Sequence, residues 1–431
     1  MRQAILLLCA ATVLSAGEVT EISQYGITWT FEKPCQAGRY VTGDWWVVGP
    51  VRVLAVAPAP APGRNGSVVD PAAGRQGYDD RTACFDAKVR AVFPLDLKPG
   101  QSLVSSASLD KVGDVPPEAV SGYTNRGPLR TAVVLTCEAE APPADAFRPA
   151  YVGTWRERFR VGQVRRDILP RLKPPGEAPD PRHYERLLER IWPDHLAEHM
   201  GRELHPLQNM PGYGRELSTA VSDVALAVLL ADPDGRMDTA LLRFIQKGID
   251  LYGMSLSDPR LWTANGGHNP GRKWPILFAG LMLDHAGMQK PAAVFQEDQQ
   301  TYVGKGFKGQ TVLWRIGPDA PNAGHEEVDP ATWKTFGKGA NDGGKAESYR
   351  DVNGPAWVGQ ALAARLMGAM PVWDHQPYFD YVDRWVREQP EKTGTALCGA
   401  MWKTYREQAD RIGEDVAKRR AASPPPVRTT P

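Results

Sequence analysis

The sequence lacks any excess of charge of one sign. Its 431 residues include 51 lysines and arginines against 50 acidic residues, for a net charge of +1. Proteins that bind nucleic acid usually carry a basic excess on one face, so the composition argues against a nucleic-acid partner. A locally basic cleft on a near-neutral protein can still bind an acidic ligand.

Long hydrophobic runs are also scarce. The apolar run over residues 4–14 is too short to cross a bilayer, follows Arg2 and precedes three small residues at 15–17. This order predicts an export signal over residues 1–17 and a secreted or periplasmic protein. Since no later run is long and apolar enough for a membrane span, we expect no membrane insertion after the signal is removed.

Motifs that identify other protein classes are missing. Only five cysteines occur, and none form a Cys-x-x-Cys pair, so a cysteine zinc site is not expected. Neither a Gly-x-Ser-x-Gly elbow nor a His-Glu-x-x-His motif is present. His195 and His199 stand four apart on a predicted helix, but without a third ligand a packing or surface role is favoured. We therefore expect no metal and no cofactor, while a disulfide among Cys35, Cys84 and Cys137 stays open.

The hydrophobic pattern changes along the chain. Residues 18–150 contain short β-type runs broken by proline and glycine clusters, which predicts a β-sandwich or a similar all-β module. Residues 151–182, rich in arginine and proline, are interpreted as a linker. Residues 420–431 are proline-rich and predicted to be disordered.

Between residues 183 and 419, apolar residues recur at intervals of three and four, which predicts helices. The predicted helices cover residues 183–200, 216–230, 237–252, 275–286, 356–367, 377–387 and 395–417. Helices joined by long loops favour paired helices over a compact bundle. The predicted fold class is therefore mainly α, an α/α toroid or incomplete helical barrel, preceded by a small N-terminal all-β module.

The most informative segment is the glycine-rich stretch over residues 262–275. It presents Asn265, His268, Arg272 and Lys273 just before a predicted helix. Helix N-termini attract anions through free backbone amides and the helix dipole. We interpret the stretch as a binding site for a carboxylate or phosphate. The alternative is a tight loop whose cations face water.

Two later segments carry further candidates. His325 stands beside Glu326, and Tyr349 stands next to Arg350 with Asn353 close behind. A neighbouring positive charge favours the phenolate of Tyr349, which suits a catalytic base. Taken alone, this pattern is more typical of a half-buried aromatic residue at the start of a helix with an arginine in a surface ion pair.

Residues 213–215, 248–253 and 266–280, with the Tyr349–Arg350 pair and the helix over 357–365, resemble secreted bacterial polysaccharide lyases. The resemblance is to polysaccharide lyase family 38, glucuronan and alginate lyases built on an α/α toroid. It covers roughly residues 200–370 and does not extend to the N-terminal β module.

The resemblance implies β-elimination at a uronic acid in an acidic polysaccharide. Tyr349 and His268 are then the leading acid and base, with His325 as a substitute or a substrate ligand. Asn265, Arg272 and Arg350 would neutralise the substrate carboxylate. The remaining candidate substrate-binding residues are Lys273, Trp274, Tyr213, Arg215, Tyr302, Glu326 and Asn353.

Two other functions stay open. A glycoside hydrolase would need two carboxylates about 5 to 10 Å apart, for which Asp250, Asp284 and Glu326 are available. A non-catalytic glycan-binding protein would use aromatic platforms among the 13 tryptophans.

Overall fold

The computed structural model describes residues 17–120, 127–318 and 342–422. Within these ranges, none of the helices combines the length and hydropathy needed to cross a membrane. The predicted export signal lies outside them except for Gly17, which begins the first strand. Of the predicted disordered tail, residues 423–431 also lie outside, whereas residues 420–422 belong to the last helix.

The described strands form one large mixed sheet and one small ribbon. Their bounds are β1 Gly17–Gln24, β2 Ile27–Arg39, β3 Trp45–Val48, β4 Val51–Ala57, β5 Ser67–Val69, β6 Leu95–Leu97, β7 Ser102–Ser108, β8 Leu129–Glu138, β9 Thr301–Val303 and β10 Val312–Trp314. Seven strands follow the order β5-β7-β8-β3-β2-β4-β6 and curl into a half-barrel, and β1 pairs with β2. The β3–β8 pair is parallel, whereas the other pairs are antiparallel. β9 and β10 form the ribbon.

The central strands of the large sheet are buried on both faces. In β8, Val133 and Leu135 pack in a cluster drawn only from residues 22–137. Val134, which points to the opposite face, packs with Val104 of β7 in a second cluster that includes the helices. Because successive side chains of a strand point to opposite faces, β8 joins the two clusters. One face of the sheet therefore shares a hydrophobic core with the helices, and the other face packs in a separate cluster.

One of the helices is buried along its whole length. Their bounds are α1 Pro181–Leu188, α2 Gly214–Ala227, α3 Asp238–Ser257, α4 Lys273–Met282, α5 Ala286–Gln289, α6 Gln296–Gln300, α7 Asp342–Leu366, α8 Met370–Trp373, α9 Gln376–Glu388, α10 Ala396–Tyr405 and α11 Ala409–Ala422. Every residue of α4 is buried, which is typical of a helix at the centre of a domain. α3 packs along α4, and α2 packs along α7.

The helix predicted over residues 183–200 is shorter than expected. It ends at Leu188, and a 3₁₀ stretch follows at Glu198–Leu204. Pro193 has no amide hydrogen and disfavours a helical conformation at the preceding residue, so the helix cannot run through this point. His195 and His199 consequently do not share a helix face: His195 is fully buried and His199 is exposed.

The predicted fold class is wrong. The structure is 37% helical and 20% strand, with about eleven helices beside the curled mixed sheet, so it is not a mainly α toroid. The physical reason lies in the central strands, which bury one face against the helices. The sequence pattern indicated strands and helices separately, but it did not indicate that residues such as Val104 and Val134 pack against the helices.

The segment interpreted as a linker contributes side chains to the core. Phe159, Ile168 and Leu169 are buried in the cluster that also contains the helices. That residues 18–150 and 183–419 form separate domains stays a prediction. The cysteines Cys35, Cys84, Cys137 and Cys398 are free thiols.

Candidate active site

The glycine-rich loop between α3 and α4 has a tightly defined shape. The carbonyl of Gly266 accepts hydrogen bonds from the side-chain amides of Gln296 (2.9 Å), Gln300 (2.8 Å) and Asn353 (2.8 Å). Gly266 has a φ of +56°, and a Cβ there would lie 2.8 Å from the ring of Tyr349. Only glycine fits both the backbone angle and this close approach.

Helix α6 accepts further hydrogen bonds from the backbone of the same loop. The Oε1 atom of Gln296 accepts from the backbone amides of Asn265 and Asn269, each at 3.1 Å. Glu297 accepts from the amide of Gly271 at 2.5 Å. Burial raises the pKa of Glu297 to about 7, so this loop contact rests on a carboxyl group that titrates near neutral pH.

A buried ion pair fixes the end of the loop. Arg272 donates to both carboxylate oxygens of Asp194, at 2.7 and 3.0 Å, and its third nitrogen donates to the carbonyls of His268 (3.2 Å) and Pro270 (2.8 Å). His205 also contacts Asp194, at 3.1 Å. Burial opposes ionisation of Asp194, but Arg272 and His205 outweigh it and hold its pKa well below the usual range.

The fixed loop presents His268 to two polar side chains from other segments. Arg202 Nη1 lies 2.8 Å from His268 Nδ1, and Tyr213 Oη lies 3.2 Å from His268 Nε2. A guanidinium can only donate, so Nδ1 accepts and the ring hydrogen of neutral His268 is assigned to Nε2. His268 therefore donates to the oxygen of Tyr213.

Positive charge surrounds the ring of Tyr213. The guanidinium carbons of Arg202 and Arg215 lie 5.4 and 4.9 Å from its centroid. Together with the hydrogen bond from His268, both groups stabilise negative charge on the tyrosine oxygen. This arrangement suits a tyrosine that gives up and takes back a proton.

One hydrogen-bond donor of the buried Arg202 side chain has no partner among the described residues. Arg202 is 7% exposed, and its Nε atom has no hydrogen-bond partner among the described residues. A buried unmatched donor on a cation is costly unless a ligand or water satisfies it. An anionic ligand would satisfy it.

Two residues of α7 line the other side of the loop. The half-buried ring of Tyr349 packs against Gly266. Asn353 is fully buried, and its Oδ1 atom has no partner among the described residues. Arg350 is turned towards α9, where it contacts Tyr381 at 3.4 Å and Glu388 at 3.7 Å.

Three predicted substrate-binding residues are buried in structural contacts. Arg272 is 1% exposed and is paired with Asp194. Lys273 donates to Asp298 and to the carbonyl of Trp373, each at 2.6 Å. Trp274 is fully buried. Their side chains hold the loop and α4 in place.

The remaining predicted residues are placed as follows. Asn265 is half-buried at the start of the loop, and Arg215 lies over Tyr213. Tyr302, on β9, packs under Arg315 at 4.9 Å. His325 and Glu326 lie outside the described residues.

Sequence reasoning missed Arg202 and Asp194. Arg202 lies just beyond the helix predicted over residues 183–200, in a stretch without a motif. Asp194 follows a proline in a segment without a motif. The pairing of both residues with the 262–274 loop depends on contacts across 66 and 78 residues. No local signal in the sequence indicates these contacts.

Comparison with known proteins leaves the chain without an assigned family. No protein-family model, curated protein or solved structure matches it. The resemblance to polysaccharide lyases therefore rests on the residues quoted for it.

Proposed function

We propose that the Arg202–Tyr213–His268 cluster is the acid–base site of an exported enzyme that cleaves a uronic-acid-containing polysaccharide by β-elimination. The observation that carries the proposal is the hydrogen-bonded chain through His268, with Arg202 at Nδ1 and Tyr213 at Nε2. Since the toroid fold that the resemblance implied is absent, this geometry is the main support for the proposed site.

The reaction needs three contributions. A cation must neutralise the carboxylate so that the adjacent carbon loses its proton, a base must take that proton, and an acid must protonate the leaving glycosidic oxygen. Electrons of the broken C–H bond form the new C=C bond as the C–O bond breaks. The unsaturated uronate and a new hydroxyl are the products.

The cluster can supply each contribution. Arg202 offers its unmatched Nε–H to the substrate carboxylate. Tyr213, with its oxygen stabilised by His268, takes the proton and can return it to the leaving oxygen. Tyr349 remains a second candidate for one of these steps because it packs against the same loop.

The competing hydrolase is less well supported by the carboxylates that the sequence suggested. Asp250 is fully buried, 2.7 Å from Arg148. A carboxylate locked in a buried ion pair cannot move to flank a glycosidic bond. Asp284 is half-buried just after α4, and Glu326 lies outside the described residues.

The test is ultraviolet absorbance during incubation with glucuronan, alginate, hyaluronan and pectate. We expect absorbance from the unsaturated product to rise with at least one of them, and Tyr213→Phe and His268→Gln to lower the rate by about 100-fold or more. Tyr378→Phe is the matched control, because Tyr378 is fully buried and donates to a backbone carbonyl on α7.

Other outcomes would redirect the assignment. Reducing ends released without absorbance would indicate a hydrolase. Binding without any product would indicate a glycan-binding protein. Full activity of Tyr213→Phe with loss in Tyr349→Phe would move the acid–base role to Tyr349.

A further inference from the structure

A β-hairpin arm is anchored on the segment that holds the glycine-rich loop. The arm consists of β9, β10 and the turn between them, residues 301–314, and it packs along α9. Gln300, the last residue of α6, donates to the carbonyl of Gly266 in the loop at 2.8 Å and to the carbonyl of Ile316, just after β10, at 2.7 Å. Both ends of the arm are therefore fixed to the segment that shapes the candidate site.

The inner side of the arm has room only for glycine. A Cβ added at Gly304 or Gly306 would lie 2.8 or 2.9 Å from the side chain of Leu313, which is 3% exposed. Because successive residues of a strand point to opposite sides, the residues that alternate with these glycines face outward. Val303 and Phe307 are accordingly 72% and 57% exposed.

The turn at the tip of the arm has a defined shape. The amide of Gly309 donates to the carbonyl of Gly306 at 3.0 Å, and the amide of Lys308 donates to the side-chain oxygen of Gln310 at 3.0 Å. Phe307 and Lys308 occupy the central positions of this turn, where small polar residues and proline are typical. An exposed aromatic ring on a shaped turn adds little to the core, but it can bind a ligand without the entropy cost of ordering a loop.

Positive charge is in excess around the tip. Lys305 and Lys308 are exposed, and within the described part of the chain neither forms an ion pair. A groove of about 500 Å³ separates the tip from α9, and Arg387 on α9 lines it together with Lys308. Its carboxylates are already bound: Asp383 by Arg365, Glu388 by Arg384 and Asp380 by Gln376.

We propose that the outward side of the arm, formed by Val303, Lys305, Phe307 and Lys308, is an accessory binding surface for an anionic polysaccharide. Each unit of such a polymer offers an apolar C–H face, which packs on an aromatic ring, and a carboxylate, which attracts the lysines. A tip that inserts into a membrane would need a larger apolar area than two side chains provide. That the bound polymer is also the substrate rests on the proposed function, whereas binding to the arm does not.

The test is electrophoresis in native gels that contain glucuronan, alginate, hyaluronan or neutral dextran. The parent protein is Tyr213→Phe, so that the polymer stays intact in the gel. We expect at least one acidic polymer, and not dextran, to retard the parent. Phe307→Ala, and separately the double variant Lys305→Gln with Lys308→Gln, should weaken the apparent affinity by about 10-fold.

Two controls separate contact from charge and from folding. The double variant Lys403→Gln with Lys418→Gln changes exposed lysines on α10 and α11 by the same net charge, and it should be retarded as strongly as the parent. Phe307→Trp keeps an aromatic ring and should restore the retardation. The melting temperature of every variant is recorded to confirm folding.

The outcomes distinguish this inference from the proposed reaction. Retardation that the arm variants lose, with no unsaturated product from any polymer, would keep the binding surface and reject the lyase. Equal retardation of the parent and the arm variants, or none of the parent, would overturn the inference even if the lyase is active. Binding to phosphatidylserine vesicles that Phe307→Ala abolishes, without retardation by any polymer, would overturn it in favour of a membrane surface.

Discussion

Two buried arginines, Arg148 and Arg272, use the same chemistry for different purposes. Arg148 donates to Asp44, in the turn between β2 and β3, at 2.9 Å, and to Asp250 on α3 at 2.7 Å. It therefore ties the sheet to the helices. Two nitrogens of Arg272 donate to the single carboxylate of Asp194, and the third donates to carbonyls of its own loop. The ion pairs of Arg148 therefore join the sheet to the helices, whereas the ion pair of Arg272 shapes the candidate site.

The charge balance of the two networks differs as well. Asp44 and Asp250 share one arginine, and burial raises the pKa of Asp250 despite Arg148. Asp194 is contacted by Arg272, His205 and Trp262, and its pKa is lowered. Among the described residues, Arg272 pairs with no second carboxylate. A carboxylate with a cation of its own is held ionised more firmly than one that shares a cation with a second carboxylate.

The largest expected effect is that of Asp194→Asn. It leaves Arg272 buried without a charged partner, which we expect to lower the free energy of unfolding by about 3–5 kcal/mol. Displacement of His268 should lower kcat by about 100-fold. Urea unfolding and initial rates at a temperature where the variant is folded measure both.

The matched control for that prediction is Asp250→Asn. Arg148 keeps Asp44 as a partner, so the loss of stability should be smaller, and the folded variant should keep the wild-type kcat. A loss of kcat in Asp250→Asn equal to that in Asp194→Asn would show that the comparison between the two networks is wrong.

The second expected effect concerns Glu297, beside the Arg272 loop. Burial raises its pKa from 4.5 to about 7, so its protonated form stabilises the fold below pH 4.5, and that stability is lost as the pH rises to 7. The difference amounts to about 3 kcal/mol. The unfolding free energy of wild type minus that of Glu297→Gln should fall by this amount between pH 4.5 and 7. A difference that does not change with pH would contradict the prediction.

His195, next to Asp194 in the chain, should act in the opposite direction. Burial lowers its pKa from 6.5 to about 4, and neither ring nitrogen has a hydrogen-bond partner among the described residues. The unfolded chain binds the proton first, so stability is lost as the pH falls from 6.5 to 4, by about 3 kcal/mol. Chemical denaturation of His195→Leu across this range should lack that loss, whereas an unchanged pH dependence would locate the titrating group elsewhere.

The smallest expected effect on stability is that of breaking a solvent-exposed arginine–aspartate ion pair. Arg52 and Asp96 lie 3.0 Å apart with 42% and 68% of their side chains exposed. Solvent screens such a pair, so Asp96→Asn should change the free energy of unfolding by less than about 1 kcal/mol. An effect as large as that of Asp194→Asn would mean that burial does not explain the difference between these ion pairs.

Some of the site was predictable from sequence. The glycine-rich stretch over 262–275 indicated a shaped loop before a helix, and the loop does present His268 at α4. The cations at Arg272 and Lys273 suggested anion binding, but both are buried in ion pairs. The sequence pattern of a lysine or arginine at the start of a helix is the same whether the side chain faces a ligand or a buried aspartate.

The local structure of this protein follows from short stretches of sequence, because turn residues and apolar spacing act over a few positions. The strands between residues 17 and 138, most helices after 181 and the glycine-rich loop all follow from such short-range patterns. Local patterns do not specify that β8 packs against the helices, that Arg272 faces Asp194, or that Arg202 and Tyr213 contact His268. These contacts join residues that are 55 or more positions apart, and burial and charge pairing across the core select them.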